Sequence, residues 1–242
     1  MATSFVRTLW GVYDNTRRFY RRRQKMDDDI KLLLRNPFNQ PFRTYVFGDD
    51  NLKFLQDRGV TDCVLVDKRP YIWDMDTQQF RHKLEAFRLG MQDFDKIVFL
   101  DWDCQPIKPL PAEFWTVLDK KQPIQAILRS YRNIKASWRS IDKRKIPCAS
   151  FVYIRDKQIP YELIKIWEKN GSGMSEEIPM MQYMESVMGG WKGTDVYWQM
   201  FEPDFFVLDE GFVYPPETLA TKNKCFAHFN IHAVSRQLRQ AR

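Results

Sequence analysis

The sequence predicts an α/β fold: a mainly parallel sheet with helices on both faces. Three observations carry that expectation. The run Ile97–Leu100 is continuously apolar, as a strand buried on both faces must be. Strand-like segments ending in polar or acidic residues alternate with segments of helical period. No internal repeat or low-complexity linker divides the 242 residues, so the chain reads as one domain, 1–242.

In chain order, "SFVRTLWGVY" (4–13) reads as the first strand and "DDDIKLLLRN" (27–36) as a helix, its acids suited to the outward N–H groups of a helix start. "TYVFGDD" (44–50) and "DCVLVD" (62–67) read as the next two strands. Phe80, Leu84, Phe87 and Met91 recur at helical spacing and lead into the apolar run at 97. "CQPIKPLP" is expected to turn. Strands are expected at 124–129, 149–154 and 205–208, and a helix over "IPYELIKIWEK", where Pro160 is tolerated in the first turn. "NGSGMSEE" (170–177) reads as a loop, either a lid over a site or a surface turn.

Composition narrows the function classes. The aromatic content of 15% suits either core packing or the stacking of flat ligands. No apolar stretch reaches the 18 or so residues that span a bilayer, and Arg7 interrupts what would be a signal-peptide core, so a cytoplasmic location is the expectation. The cysteines at 63, 104, 148 and 225 form no C-x-x-C pair and predict neither a zinc cage nor a disulfide framework. A net charge of +7 favours an anionic partner.

Chemistry concentrates in "KIVFLDWDCQP" (96–106). Ligands of parallel α/β sheets bind beyond the carboxyl ends of strands, and Asp101 and Asp103 stand at such an end. On an extended chain residues i and i+2 point to one side, so the two carboxylates can converge on one cation, or on a cation and a neighbouring sugar hydroxyl. Carboxylate oxygens suit Mg²⁺ or Mn²⁺, and such an ion neutralises a leaving diphosphate. The alternative is that both acids only solvate a strand end.

The segment "RHKLEAFRLGMQDFDKIVFLDWDCQPIKPLP" (81–111) resembles the metal-binding segment of D-x-D nucleotide-sugar glycosyltransferases with the GT-A fold, a Rossmann-like sheet, and is loosely similar to glycogenin-like enzymes. The resemblance implies a nucleotide-binding half over about 1–103 and an acceptor-binding half over about 104–242. It makes Asp101 and Asp103 the metal-binding catalytic pair, Asp103 on the ion directly and Asp101 near ribose or a metal-bound water. Lys83 and Trp102 fall near the donor, Trp10, Gly11 and Tyr13 in a base-stacking loop, and Asp49 becomes a hydrogen-bonding partner. In "KCFAHFNIHA", His228 rather than His232 completes the metal shell, which tilts the ion toward Mn²⁺ over Mg²⁺. The family habit points to a UDP-sugar. The Gly and Lys-Pro-Trp residues that follow this histidine in glycogenin-like enzymes are missing, which leaves subfamily and stereochemical course open. Glu176 and Glu177 stand either as an acid near the acceptor, Glu177 in particular as a catalytic candidate, or as caps of the following helix.

Two basic segments bear on the acceptor. "RRFYRRRQK" (17–25) and "RSYRNIKASWRSIDKRK" (129–145) are rich in Lys and Arg, the second interleaved with Tyr131 and Trp138. Arg129, Arg132, Lys135, Trp138 and Arg139 are the candidate nucleic-acid contacts, through phosphate neutralisation and base stacking. The expected acceptor is then a hydroxymethylated base in DNA, of the kind bacteriophages make. A lipopolysaccharide or other surface glycan is the alternative acceptor. A non-catalytic nucleic-acid-binding module and a metal-dependent phosphoryl or nucleotidyl transferase are the alternatives of other classes. Oligomeric state is not legible.

Overall fold

At the centre of a six-stranded sheet lies β1 (Thr3–Leu9), paired in parallel with β2 (Phe42–Phe47) on one side and β4 (Lys96–Leu100) on the other. The computed structural model describes residues 2–12, 26–27, 29–31, 33–35, 40–67, 80–106, 109–120, 123–128, 147–170, 176–188, 206–207 and 226–228. β3 (Cys63–Val66) extends the sheet beyond β2, and β7 (Pro147–Ile154) and β6 (Ile124–Leu128) extend it beyond β4, giving the order β3-β2-β1-β4-β7-β6. β7 alone runs against the other five, antiparallel to both β4 and β6. The chain builds outward from β1 to β3 and then crosses back to place β4 on the opposite side. The strand order therefore reverses between β1 and β4, and sheets of this kind form their ligand crevice at such a reversal, beyond the carboxyl ends of the strands.

The helices are α1 (the helical residues within 26–35), α2 (Asp49–Gln56), α3 (Arg81–Asp93), α4 (Phe114–Asp119), α5 (Gln158–Asn170) and α6 (Glu177–Met188). β4 shows why the sheet needs two covered faces. Ile97 and Phe99 pack with Leu84, Phe87 and Met91 of α3 and Leu163 and Trp167 of α5. Val98 and Leu100, alternating to the other face, pack with Phe114 and Leu118 of α4. These four apolar side chains of β4 are fully buried, each worth roughly 1.5–3 kcal/mol. α3 approaches β1 and β4 closely because Gly90 faces them: a Cβ there would lie 3.2 Å from both Val6 Cγ2 and Ile97 Cδ1.

Several boundaries differ from the sequence reading. β1 stops at Leu9, because Gly11 at φ 64° turns the chain out of the strand. β2 stops at Phe47, where Gly48 at φ 103° redirects the backbone; Asp49 and Asp50, read as the end of a strand, instead fill the first turn of α2. That helix and α4 have no counterpart in the sequence reading. The expected turn after Asp103 includes a short strand, β5 (Cys104–Pro106), which joins β9 (Phe226–His228) and β8 (Phe206–Val207) in a second sheet. Phe226 anchors that sheet, its ring 4.9 Å from Phe151 and 5.9 Å from Phe114. No helix among the described residues is long and apolar enough to cross a membrane.

Candidate active site

The chain leaves β4 at Leu100, and Asp101 follows directly, its N–H donating to the Ser150 carbonyl of β7 at 2.9 Å. The Cys104 N–H then donates back to the Asp101 carbonyl at 2.9 Å, closing a four-residue turn. Asp101 and Asp103 thus sit on a turn, not on the extended chain that the i, i+2 expectation assumed. Trp102, expected near the donor, is turned inward: its indole is buried among Leu9, Val12, Met26 and Ile30, and Nε1 donates to the Thr8 carbonyl at 2.9 Å. An indole beside that apolar cluster gains more by burial with its N–H satisfied than by facing solvent.

Arg7, a cation in the middle of the innermost strand, supports the turn from below. Its side chain is fully buried, and Nη2 donates to the Cys104 carbonyl at 3.1 Å. The guanidinium lies 5.0 Å from the ring centroids of both Phe42 and Trp102. Burial lowers its pKa to about 10, a penalty that Asp29, Asp101 and Asp103 only partly offset. The residues that border the crevice from α3 are equally unusual. The first turn of that helix reads Arg81, His82, Lys83 and carries no acid, against the preference of a helix N-terminus for negative charge. Each basic side chain is held by tertiary contacts instead. Arg81 pairs with Glu85 at 2.8 Å and Glu168 at 3.1 Å. The His82 ring stacks on Trp10 at 4.9 Å and meets Phe47 edge-on at 4.5 Å.

Lys83 reaches into the crevice, where its Nζ donates to Asp101 Oδ2 and to Glu176 Oε1, each at 2.6 Å. Burial disfavours its charge, but the two carboxylates outweigh that and raise its pKa. The Asp101 carboxyl is pushed upward, chiefly by burial; Lys83 opposes the shift while Asp103 and Glu176 add to it. One ammonium therefore faces an excess of carboxylates, and Ser150 Oγ adds a longer contact to Asp101 Oδ2 at 3.4 Å. Glu177, which opens α6, is buried beside Glu176.

Just after β1, Trp10 is a core residue stacked on His82 of α3 and presents no open face, unlike the stacking platform expected of it. The Val12 N–H donates to Asn51 Oδ1 at 2.8 Å, and Asn51 Nδ2 donates to the Phe47 carbonyl at 2.8 Å, so one buried side chain ties the loop after β1 to the end of β2. Asp49 is exposed in the first turn of α2. His228 falls opposite Cys104 in the β5–β9 ladder, one position beyond Asp103. Tyr13, Arg129, Arg132, Lys135, Trp138 and Arg139 lie outside the described residues. Sequence reasoning passed over Arg7 as a site residue, although a charge inside an apolar strand was the available signal. Asn51, in a helix that the reading lacked, gave none.

The donor chemistry suits a hard divalent cation. Asp101 and Asp103 offer carboxylate oxygens on one turn, inside a net-acidic pocket, and Mg²⁺-type ions bind through one or two carboxylates with phosphate and water completing the shell. Among the described residues no group of three or more His, Cys, Asp or Glu side chains is placed to hold a metal ion, so the protein's share of the ligands already in place there is the Asp101 and Asp103 pair. A bound ion would supply charge neutralisation to a diphosphate; the chain's own part is to hold Asp101 and Asp103 in place through Arg7, Ser150 and Lys83.

No protein-family model matches the sequence, and no curated protein does. Among solved structures, mouse xyloside xylosyltransferase 1 aligns over 96% of this chain and 98% of its own with a TM-score of 0.54 at 9% identity. The bifunctional glycosyltransferase WbbM aligns over 94% of this chain with a TM-score of 0.51 at 12% identity, and the chain spans 45% of its length. At such identities the likeness is one of fold: six mostly parallel strands flanked by helices, in the GT-A arrangement of known glycosyltransferases.

Proposed function

We propose that this chain is a metal-dependent glycosyltransferase that moves a sugar from a nucleotide-sugar, a UDP-sugar, to an acceptor hydroxyl with Mn²⁺ or Mg²⁺. The observation that carries the reading is the Asp101–Cys104 turn at the β1/β4 crevice, with Lys83 converging on it from α3. Asp101 and Asp103 would hold the ion, joined by His228, and the ion would supply charge neutralisation to the donor's diphosphate. Lys83 would meet the donor's charge, and the loop that carries Gly11 and Tyr13 would receive the nucleotide with Asp49. Glu177 is the candidate acid on the acceptor side. In this reading residues up to about 103 bind the nucleotide and the remainder bind the acceptor.

The acceptor is a hydroxymethylated base in DNA, a reading supported by the +7 charge and by the basic, aromatic segment 129–145. A base in a duplex would be flipped out to reach the turn. A lipopolysaccharide or other surface glycan is the second reading, supported by the same +7 charge, since basic residues also bring an enzyme to an anionic membrane surface. Intact-mass analysis of hydroxymethylcytosine DNA and of surface glycans, incubated with a panel of nucleotide sugars and Mn²⁺, separates the two. The donor half is tested by thermal shift: UDP should stabilise the protein only with Mn²⁺, and Asp103→Ala should lose that effect. Equal UDP stabilisation without metal and in Asp103→Ala would sink the reading.

A further inference from the structure

Resting on that reading, we infer that Lys83 is a resident counter-ion of the metal-free site: an arriving divalent cation displaces it from Asp101, and Glu176 keeps the ammonium in the pocket to meet the donor's phosphates. The pair is desolvated, the side chains of Lys83, Asp101 and Glu176 being 7%, 18% and 4% exposed. With Lys83 Nζ at 2.6 Å and Ser150 Oγ at 3.4 Å, Asp101 Oδ2 faces a cation already. A divalent cation held by Asp101 would bring a second cationic centre against Lys83 with little water between them, a costly repulsion in a desolvated site.

Glu176 is what makes displacement productive. Without it, a lysine expelled from Asp101 would be a buried and unpaired charge, an expensive state that would oppose metal binding. With Glu176 Oε1 also at 2.6 Å, Lys83 exchanges one carboxylate contact for a phosphate oxygen and keeps the other. Metal and donor then bind in order. Until the metal arrives, Asp101 occupies the lysine that the donor needs.

The test uses metal alone, so that it reads independently of sugar transfer. Removing a competing cation should tighten Mn²⁺ binding about tenfold in Lys83→Met, measured by calorimetry, with a larger Mn²⁺-induced rise in Tm than in wild type. Arg7→Gln controls for charge: Arg7 is fully buried and carries the same charge near both aspartates, but its hydrogen bond goes to the Cys104 carbonyl. Competition predicts no gain there, because losing the Cys104 bond also loosens the turn. A structure of the wild-type protein with Mn²⁺ should show Lys83 Nζ withdrawn from Asp101 and still on Glu176; if Lys83→Met fails to fold, Lys83→Gln and this structure decide. Equal tightening in Lys83→Met and Arg7→Gln, or a metal-bound site with the Lys83–Asp101 contact intact, overturns the inference and leaves the transferase reading standing. Absence of any Mn²⁺ or Mg²⁺ binding to wild type overturns both.

Discussion

The Arg7 guanidinium, buried in β1, donates to the carbonyl of Cys104, 97 residues away, and so fixes the end of the turn that carries Asp101 and Asp103. Arg7→Leu should lose this bond and the partial charge balance of Asp29, Asp101 and Asp103 together. A cost of about 2–3 kcal/mol is expected in urea unfolding, with weaker Mn²⁺ binding in the folded protein. Unchanged stability would remove Arg7 from its supporting role.

Asn51 satisfies the Val12 N–H and the Phe47 carbonyl with one side chain. Asn51→Leu leaves both groups buried without that partner, so stability should fall by about 2–4 kcal/mol. UDP binding should weaken in the same variant because the loop after β1 is released. A variant that loses stability while binding UDP as wild type does would separate this loop from the donor site.

At Gly90 two effects oppose each other. Alanine gains up to about 1 kcal/mol of helix propensity, but its Cβ meets Val6 and Ile97 at 3.2 Å in a filled core, where overpacking costs about 1–3 kcal/mol. Gly90→Ala should therefore be destabilising by about 1 kcal/mol, and Ile97→Val should recover part of the loss in the double mutant. Additive losses would show that contact with Ile97 is not the cause.

A pH-dependent element lies away from the site, where Asp119 of α4 takes a hydrogen bond from Tyr153 at 2.6 Å and another from Lys96. Burial resists ionisation of Asp119, but the Lys96 and Tyr153 bonds outweigh it and lower the carboxyl below its ordinary 3.8. A depressed acid stabilises the fold above its unfolded pKa, and that contribution is lost as pH falls through the folded value. Asp119→Asn should thus cost about 0.5–1 kcal/mol at pH 7, with the gap to wild type closing below pH 3.8. A gap that persists in acid would trace the loss to packing.

Periodicity and hydropathy were enough to read the central elements. The apolar run at 97–100 and the helical spacing of Leu84, Phe87 and Met91 report burial directly, and burial is what holds β4 and α3 together. α2 was lost because Asp49 and Asp50 extend an apolar strand on paper. Only the positive φ of Gly48 ends that strand, and residue type does not specify φ there. The acidic pair was legible for the same local reason, since two carboxylates after a buried strand are conspicuous whatever the fold.

By itself, then, the sequence determined an α/β sheet, the strand that leads into Asp101 and the acidic character of that end. Tertiary structure alone decided that Arg7, Lys83 and Glu176 meet around it, that Asn51 ties the loop after β1 to the end of β2, that Trp10 and Trp102 serve the core, and that β7 runs against its neighbours. The division is physical. Local patterns record how much of each residue is buried, whereas an ammonium shared by carboxylates 18 and 93 residues away depends on long-range chain closure that no short window contains.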